Sequence, residues 1–282
     1  MTVNDCVNDA AGHLITAGFD RDEARRDVSV LARHALGWTM TDWATGLRET
    51  APPGFSAQLE AAVRRRATRE PVAYITGVRE FYGRDFQVTP AVLIPRPETE
   101  LVVEMATGLT GIGPLVVDVG TGSGCIAISI ALECPGARVM GTDVSAAALD
   151  VARVNAQRLG ARVEFVETSL LPSAPATFDV IVSNPPYVSR ADRDALPPDV
   201  RDFEPGTALF ADDDGLAVIT ALVAAARARL APGGWLLMEI GQGQSADVAA
   251  LVETTGLRLD RIAPDLQGIP RLVVARQPAR DA

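Results

Sequence analysis

Leu115-Val116-Val117-Asp118-Val119 is an apolar run that breaks into Gly120-Thr121-Gly122-Ser123-Gly124, after which helical spacing begins. A short apolar run bounded by glycines predicts a buried strand. Glycines let the backbone turn sharply and come close to a ligand. A helix that opens directly after the turn offers free amide groups at its N-terminus. Asp143 ends the next predicted strand, 25 residues after Asp118. A carboxylate at that place can take both hydroxyls of a ribose.

Working outward, strands are expected at Leu115–Val119, Arg138–Asp143, Val163–Glu167, Phe178–Ser183, Gly234–Ile240, Leu257–Ile262 and Arg271–Arg276. Helices are expected at Gly124–Glu133, Ala146–Leu159, Gly215–Leu230 and Ser245–Thr255, with a further helical stretch at Leu101–Leu109. Apolar strands alternating with helices mean βαβ crossovers and a parallel sheet, an α/β fold of Rossmann-like, doubly wound type. The last two strands leave no room for a helix between them and should pair antiparallel at one edge. The glycine spacing selects among nucleotides. A dinucleotide fingerprint needs glycine at the position of Cys125, and no phosphate-binding Gly-Lys-Ser/Thr loop is present. The pattern fits S-adenosyl-L-methionine, with Gly120, Thr121, Gly122, Ser123, Gly124, Asp143 and Asn184 as the cofactor-binding set. Asp118 either lies near the amino-acid end of that ligand or caps the glycine turn.

The strand Phe178–Ser183 runs straight into Asn184-Pro185-Pro186-Tyr187. Two prolines fix φ and remove two backbone donors, while their carbonyls stay free as acceptors. Asn184 adds a side-chain carbonyl, and Tyr187 supplies an aromatic wall for stacking or packing. Two acceptors suit a planar NH2 group and leave its nitrogen lone pair aimed at one point. Such a nitrogen is a poor nucleophile, so orientation must supply much of the rate. Asn184, Pro185 and Tyr187 are therefore the candidate catalytic residues, and Asn184, Pro185, Pro186 and Tyr187 the substrate-binding set.

The chain has 282 residues, 48% hydrophobic and 22% charged, an ordinary composition for a globular protein. Its net charge is −10, and every basic residue is Arg. Residues 1–90 carry 11 Arg against 12 acidic residues, and residues 91–282 carry 15 against 24. That balance disfavours free nucleic acid as the main partner. Cys6, Cys125 and Cys134 show no metal-ligand spacing, so reduced thiols in a cytoplasmic protein are expected, with no metal. Met1–Ala10 does not read as a targeting segment. The longest apolar run, Leu216–Ala226, is too short for a membrane span.

The first 70 or so residues read as helices over Ala10–Ala17, Arg21–Leu36 and Phe55–Thr68. Asp20 with Glu23 has capping-box spacing. His13 and His34 lack a second ligand and read as structural. Arg64, Arg65, Arg66 and Arg69 read as a solvated helix face, or more sharply as a docking patch for an acidic partner or RNA. Pro71–Pro95, with Tyr74, Ile75, Phe81, Tyr82, Phe86 and Val88, reads as a β-hairpin linker. The acidic stretch holding Asp192, Asp194, Asp199, Asp202, Glu204 and Asp212–Asp214 reads as a solvated, mobile surface or as a lid.

Taken together, Pro71–Glu80 (PVAYITGVRE), Leu93–Glu100 (LIPRPETE), Asp118–Ala127 (DVGTGSGCIA), Ser183–Tyr187 (SNPPY), Asp199–Leu209 (DVRDFEPGTAL) and Glu239–Gln244 (EIGQGQ) resemble the release-factor glutamine N5-methyltransferases of the HemK/PrmC type. The resemblance covers most of the chain. It implies a small helical domain at 1–73 that docks the protein substrate, a β-hairpin linker at 74–95, and a seven-stranded class I methyltransferase domain at 96–282. It also implies methyl transfer from S-adenosyl-L-methionine to the Gln of the Gly-Gly-Gln motif of bacterial class 1 peptide chain release factors, by a cytoplasmic monomer. Arg96 and Glu98 would shape the pocket or brace the two domains. The chain departs from the pattern at Thr168-Ser169-Leu170-Leu171, where relatives often carry an acidic residue near the adenine. Asn-Pro-Pro-Tyr alone is shared with adenine N6-methyltransferases, and a non-catalytic binding module on the same fold is a further alternative.

Overall fold

The computed structural model describes residues 1–109, 113–175 and 177–279. The chain divides into two compact units. One holds Met1–Val78 with Pro197–Phe203, and the other holds Arg79–Leu196 with Glu204–Ala282.

The first unit is helical: α1 Val3–Thr16, α2 Arg21–Leu36, α3 Met40–Gly46, α4 Phe55–Ala67 and α5 Val72–Thr76. Leu14, Leu31, Leu59, Val63, Val28 and Phe19 form its core. The first helix begins seven residues earlier than its apolar spacing suggests. Thr2 and Asp5 cap each other there, with the Thr2 amide donating to Asp5 (2.7 Å) and the Asp5 amide donating to Thr2 Oγ1 (3.2 Å). Asp20 does cap α2, accepting from the Asp22 and Glu23 amides. The reciprocal half of the expected box is absent, because the Glu23 carboxylate accepts instead from Arg66 Nη2 at 2.9 Å. Arg66 corrects the reading of a solvated arginine face. It is only 4% exposed, its Nε donates to Asp27 at 2.6 Å, and its guanidinium lies over the Phe19 ring. His13 and His34 are exposed on their helices.

The hairpin is shorter than the sequence suggests, with β1 at Val78–Phe81 and β2 at Arg84–Gln87. Tyr74 and Ile75, read as hairpin residues, sit in α5, where a glycine at positive φ, Gly77, ends the helix. Next come α6 Glu100–Leu109, β3 Leu115–Val119, α7 Cys125–Glu133, β4 Arg138–Asp143, α8 Ala146–Leu159, β5 Val163–Glu167 and β6 Phe178–Ser183. A short pair of strands follows, β7 Val188–Ser189 and β8 Phe210–Ala211, with α9 Pro198–Phe203 and α10 Gly206–Leu209 between them. The chain closes with α11 Ala217–Arg229, β9 Leu230–Glu239, α12 Ser245–Thr254, β10 Arg258–Pro264 and β11 Pro270–Arg276.

The main sheet has seven strands in the order β10-β11-β9-β6-β3-β4-β5. Strands β5, β4, β3, β6 and β9 are parallel, and β11 pairs antiparallel with both β9 and β10. All five residues of β3 are buried, as expected of a central strand covered on both faces. Their side chains alternate. Val117 and Val119 join Ile219, Leu222 and Val248 on one face, and Val116 joins Val103, Ile126 and Ile128 on the other. From β3 the chain adds β4 and β5 on one side, then crosses to β6 on the other. Ligands bind at such a reversal, outside the carboxyl ends of the strands. The register places Val119, Thr142 and Ser183 level with one another at that end. Among the described residues no helix is long and apolar enough to cross a membrane.

Candidate active site

A cavity of about 230 Å³ opens where β3, β4 and β6 end. Its walls include Gly120, Thr121, Gly122, Ser123, Asp143, Asn184, Pro185 and Pro186, so both sequence motifs meet in one place. Gly124 and Tyr187 stand behind this lining rather than in it.

The first wall is backbone. The Gly120 and Thr121 amides donate to the Thr142 carbonyl at 2.9 and 2.8 Å, which stitches the turn to the end of β4. Gly120 and Gly122 have φ of +73° and +55°, and a Cβ on either would point into open space. Gly124 is different. A Cβ there would lie 2.8 Å from Ile128 Cδ1 and 3.2 Å from Ala152 Cβ, so glycine permits α7 to pack against α8. Asp143 accepts from the Gly122 amide (3.0 Å) and the Ser145 amide (2.9 Å), one on each carboxylate oxygen. These bonds fix the carboxylate at the cavity and leave lone pairs for hydroxyl donors. Val144, Thr168, Ser169 and Leu170 continue the wall beyond it.

Asp118 is fully buried and caps the turn. Its Oδ2 accepts from Thr121 Oγ1 at 2.6 Å and from the Ala127 amide at 3.2 Å, while Oδ1 makes no hydrogen bond. Of its two open readings, this geometry is that of a strand-end cap. Burial pushes its pKa from 3.8 up to about 7, against the pull of those two donors. Cys125 is likewise pushed up by burial, to about 12, which makes it an inert packed thiol.

The second wall is made of side chains. Ser183 Oγ donates to the Val119 carbonyl at 2.7 Å and ties the end of β6 to β3. Asn184 Nδ2 then donates to Thr99 Oγ1 at 3.0 Å. Thr99 Oγ1 donates to Glu239 Oε2 at 2.6 Å, and the Tyr187 hydroxyl donates to Glu239 Oε1 at 3.1 Å. Burial pushes Glu239 up, opposed by those two donors and by the nearby Arg271 guanidinium. Tyr187 is also raised, by burial and then by the neighbouring Glu239 charge. Its ring packs against the core beside β9. Of the two expected uses of this aromatic, the structure shows packing. The Tyr187 carbonyl accepts from Gln244 Nε2 at 3.1 Å, and a Cβ on Gly215 would come within 2.1 Å of that carbonyl oxygen.

The acidic stretch after Tyr187 is not uniformly solvated. Glu204 is buried, accepts from the Ile94 amide at 3.1 Å and pairs with Arg96. Both partners belong to the second unit. Arg96 lines the cavity together with Pro95, Thr99, Pro205, Thr207 and Ala208. Thr99, Glu239, Glu204 and Gln244 are the site-supporting residues that motif reading missed. All four lie inside the quoted segments, yet their pairing across 52 to 140 residues leaves no local spacing signal. Among the described residues no cluster of His, Cys, Asp or Glu could hold a metal.

Comparison with known proteins agrees with this arrangement. The PrmC N-terminal domain family matches residues 5–77, and the Methyltransferase small domain family matches residues 99–196. A release factor glutamine methyltransferase from Cereibacter sphaeroides is 43% identical over 99% of this chain and 100% of its own length. One from Geobacter sulfurreducens is 41% identical over 98% of this chain and 96% of its own. Among solved structures, a methyltransferase from Pyrococcus furiosus superposes with a TM-score of 0.54 at 19% identity, covering 70% of this chain and 91% of that one, a likeness of fold. With a glycine-rich turn, Asp143 and Asn184-Pro185-Pro186 meeting in one cavity, and relatives this similar over their full length, the chain belongs to the release factor glutamine methyltransferase family.

Proposed function

We propose that this protein transfers a methyl group from S-adenosyl-L-methionine to the side-chain amide nitrogen N5 of the Gln in the Gly-Gly-Gln motif of class 1 peptide chain release factors. The observation that carries the reading is the meeting of Asn184-Pro185-Pro186 with the Gly120–Gly122 turn and Asp143 in a single cavity. The residues present fit the cofactor. Gly120 and Gly122 leave open space where side chains would stand, and Asp143 keeps acceptor capacity toward hydroxyls. S-adenosyl-L-methionine would supply an electrophilic methyl on a sulfonium centre.

The chain's own residues do the rest. Gly120, Thr121, Gly122, Ser123 and Asp143 hold the cofactor, with Gly124 setting the helix behind them. Asn184 commits its NH2 to Thr99, so its Oδ1 is the atom left to accept from the glutamine amide. The Pro185 carbonyl takes the second hydrogen, and Pro186 keeps the turn rigid. Tyr187 positions the turn from behind, through Glu239. Holding the nitrogen in line is worth up to roughly 7–11 kcal/mol in well-oriented intramolecular reactions. Fixed carbonyl dipoles also stabilise the positive charge that develops on nitrogen as the bond forms. The helical unit, Met1–Val78 with Pro197–Phe203, docks the protein substrate, and the unit built on the seven-stranded sheet carries the chemistry. We take the working form as a cytoplasmic monomer that needs neither metal nor nucleic acid.

The test is mass spectrometry of unmethylated release factor after incubation with this protein and S-adenosyl-L-methionine. A gain of one methyl on the Gly-Gly-Gln glutamine is expected. An unmodified peptide, with cofactor binding shown separately, would overturn the substrate assignment.

A further inference from the structure

We propose that Glu239 is a positioning residue for methyl transfer: through the Thr99 hydroxyl it dictates which end of the Asn184 amide faces the substrate. The inference rests on the reading that Asn184 accepts from the glutamine amide. As a carboxylate, the form that its two hydroxyl donors and the Arg271 guanidinium favour against burial, Glu239 has acceptors and no hydrogen to give. Its two oxygens meet two hydroxyls, Thr99 Oγ1 at 2.6 Å and Tyr187 Oη at 3.1 Å. Each hydroxyl has one hydrogen, and each gives it to Glu239. Thr99 Oγ1 is then left as an acceptor only, 3.0 Å from the Asn184 side chain. The Asn184 NH2 must occupy that contact. The flipped amide would set two acceptor oxygens against each other at the same distance. Glu239 is 2% exposed and Thr99 is 2% exposed, so water has little access to relieve such a mismatch.

The consequence is chemical. The Asn184 carbonyl faces the cavity and selects an N–H donor such as a primary amide. A flipped Asn184 would present N–H groups to the substrate NH2 and repel it. Glu239 lies at the end of β9, beside the end of β6, with Met238 paired to Ser183. Two adjacent strand ends thus set the polarity of the site, and Thr99 passes it between them. Glu239 itself lines no part of the cavity wall named above, so it acts through Thr99 and does not touch substrate.

The experiment compares T99V, T99S, E239Q and N184A in the full-length protein. Single-turnover methyl transfer to unmethylated release factor and S-adenosyl-L-methionine binding are measured for each. T99V keeps the side-chain shape and removes the hydroxyl, whereas T99S keeps the hydroxyl. The expected result is a rate at least tenfold lower for T99V and E239Q, with cofactor Kd within about twofold of wild type. T99S should return to within about threefold of the wild-type rate. Adding T99V to N184A should cost nothing further, which a merely structural role would not produce. A wild-type rate for T99V beside a slow N184A would overturn the inference alone. A wild-type rate for N184A would overturn the reading of Asn184 and the inference with it. Should E239Q unfold, the T99V and T99S pair still decides.

Discussion

Around Gly120–Asp143 the cavity wall is backbone held by a strand-end carbonyl and one carboxylate, and around Asn184 it is a relay of side chains from three separate segments. The first half uses amides of Gly120, Thr121 and Gly122 on Thr142 and Asp143. The second uses Asn184, Thr99, Glu239 and Tyr187. A backbone wall can hold a ligand through shape and a few fixed amides. A wall that must choose an amide over other groups needs side chains with a defined donor and acceptor direction. On the proposed function the first wall holds the cofactor and the second directs the chemistry, so substitutions should divide the two effects.

The largest effect on the backbone half is expected from Asp143→Ala. It removes the cavity carboxylate and strands the Gly122 and Ser145 amides. Hydrogen bonds to charged groups are worth about 1.5–3 kcal/mol each, so cofactor Kd should rise by about tenfold to a few hundredfold in calorimetry. Unchanged affinity would break the assignment of that half. Next is Gly124→Ala, which must hold φ near +81° and push against Ile128 and Ala152. A loss of about 1–3 kcal/mol in denaturant unfolding is expected.

A pH effect sharpens the same contrast, because Asp118 lies behind the backbone half. Its folded pKa is raised, so the folded state holds a proton that the unfolded state has already released. Stability should therefore fall as pH rises from near 3.8 through about 7, by an amount of order a few kcal/mol, and level off above. Asp118→Asn should flatten that slope in thermal unfolding across pH 5–8. The smallest effect is expected from His34→Ala, at an exposed position of α2, within about 0.5 kcal/mol of wild type.

Legibility followed the same division. The strand-turn-helix around Gly120–Gly124 could be read locally, because glycines at fixed spacing after an apolar strand have few alternatives. The parallel sheet and its antiparallel edge pair were legible for the same reason, from apolar runs and loop length. Asn184-Pro185-Pro186 was visible as an acceptor-rich turn. Its supporting hydroxyls and carboxylate were not, since Thr99 and Glu239 look like ordinary polar residues until the sheet brings them together. Arg66 and Glu204 misled for a related reason. Each sits in a charged stretch that reads as solvent-facing, and each is buried because distant partners, Glu23 and Asp27 for one and Arg96 and Ile94 for the other, satisfy it. The short helices α3, α9 and α10 were invisible because a few residues give no helical period.

Asn184 is proposed to orient the nitrogen, with a share in cofactor holding that is small beside that of the other wall. The measurement that tests it most directly is single-turnover methyl transfer by Asn184→Ala, with the protein saturated in S-adenosyl-L-methionine and its Kd determined in parallel. The account predicts cofactor affinity within about threefold of wild type and a transfer rate lower by roughly tenfold to a hundredfold or more, the loss of an orienting hydrogen bond at the reacting group. A wild-type transfer rate would contradict it, and so would a slow rate explained wholly by lost cofactor binding.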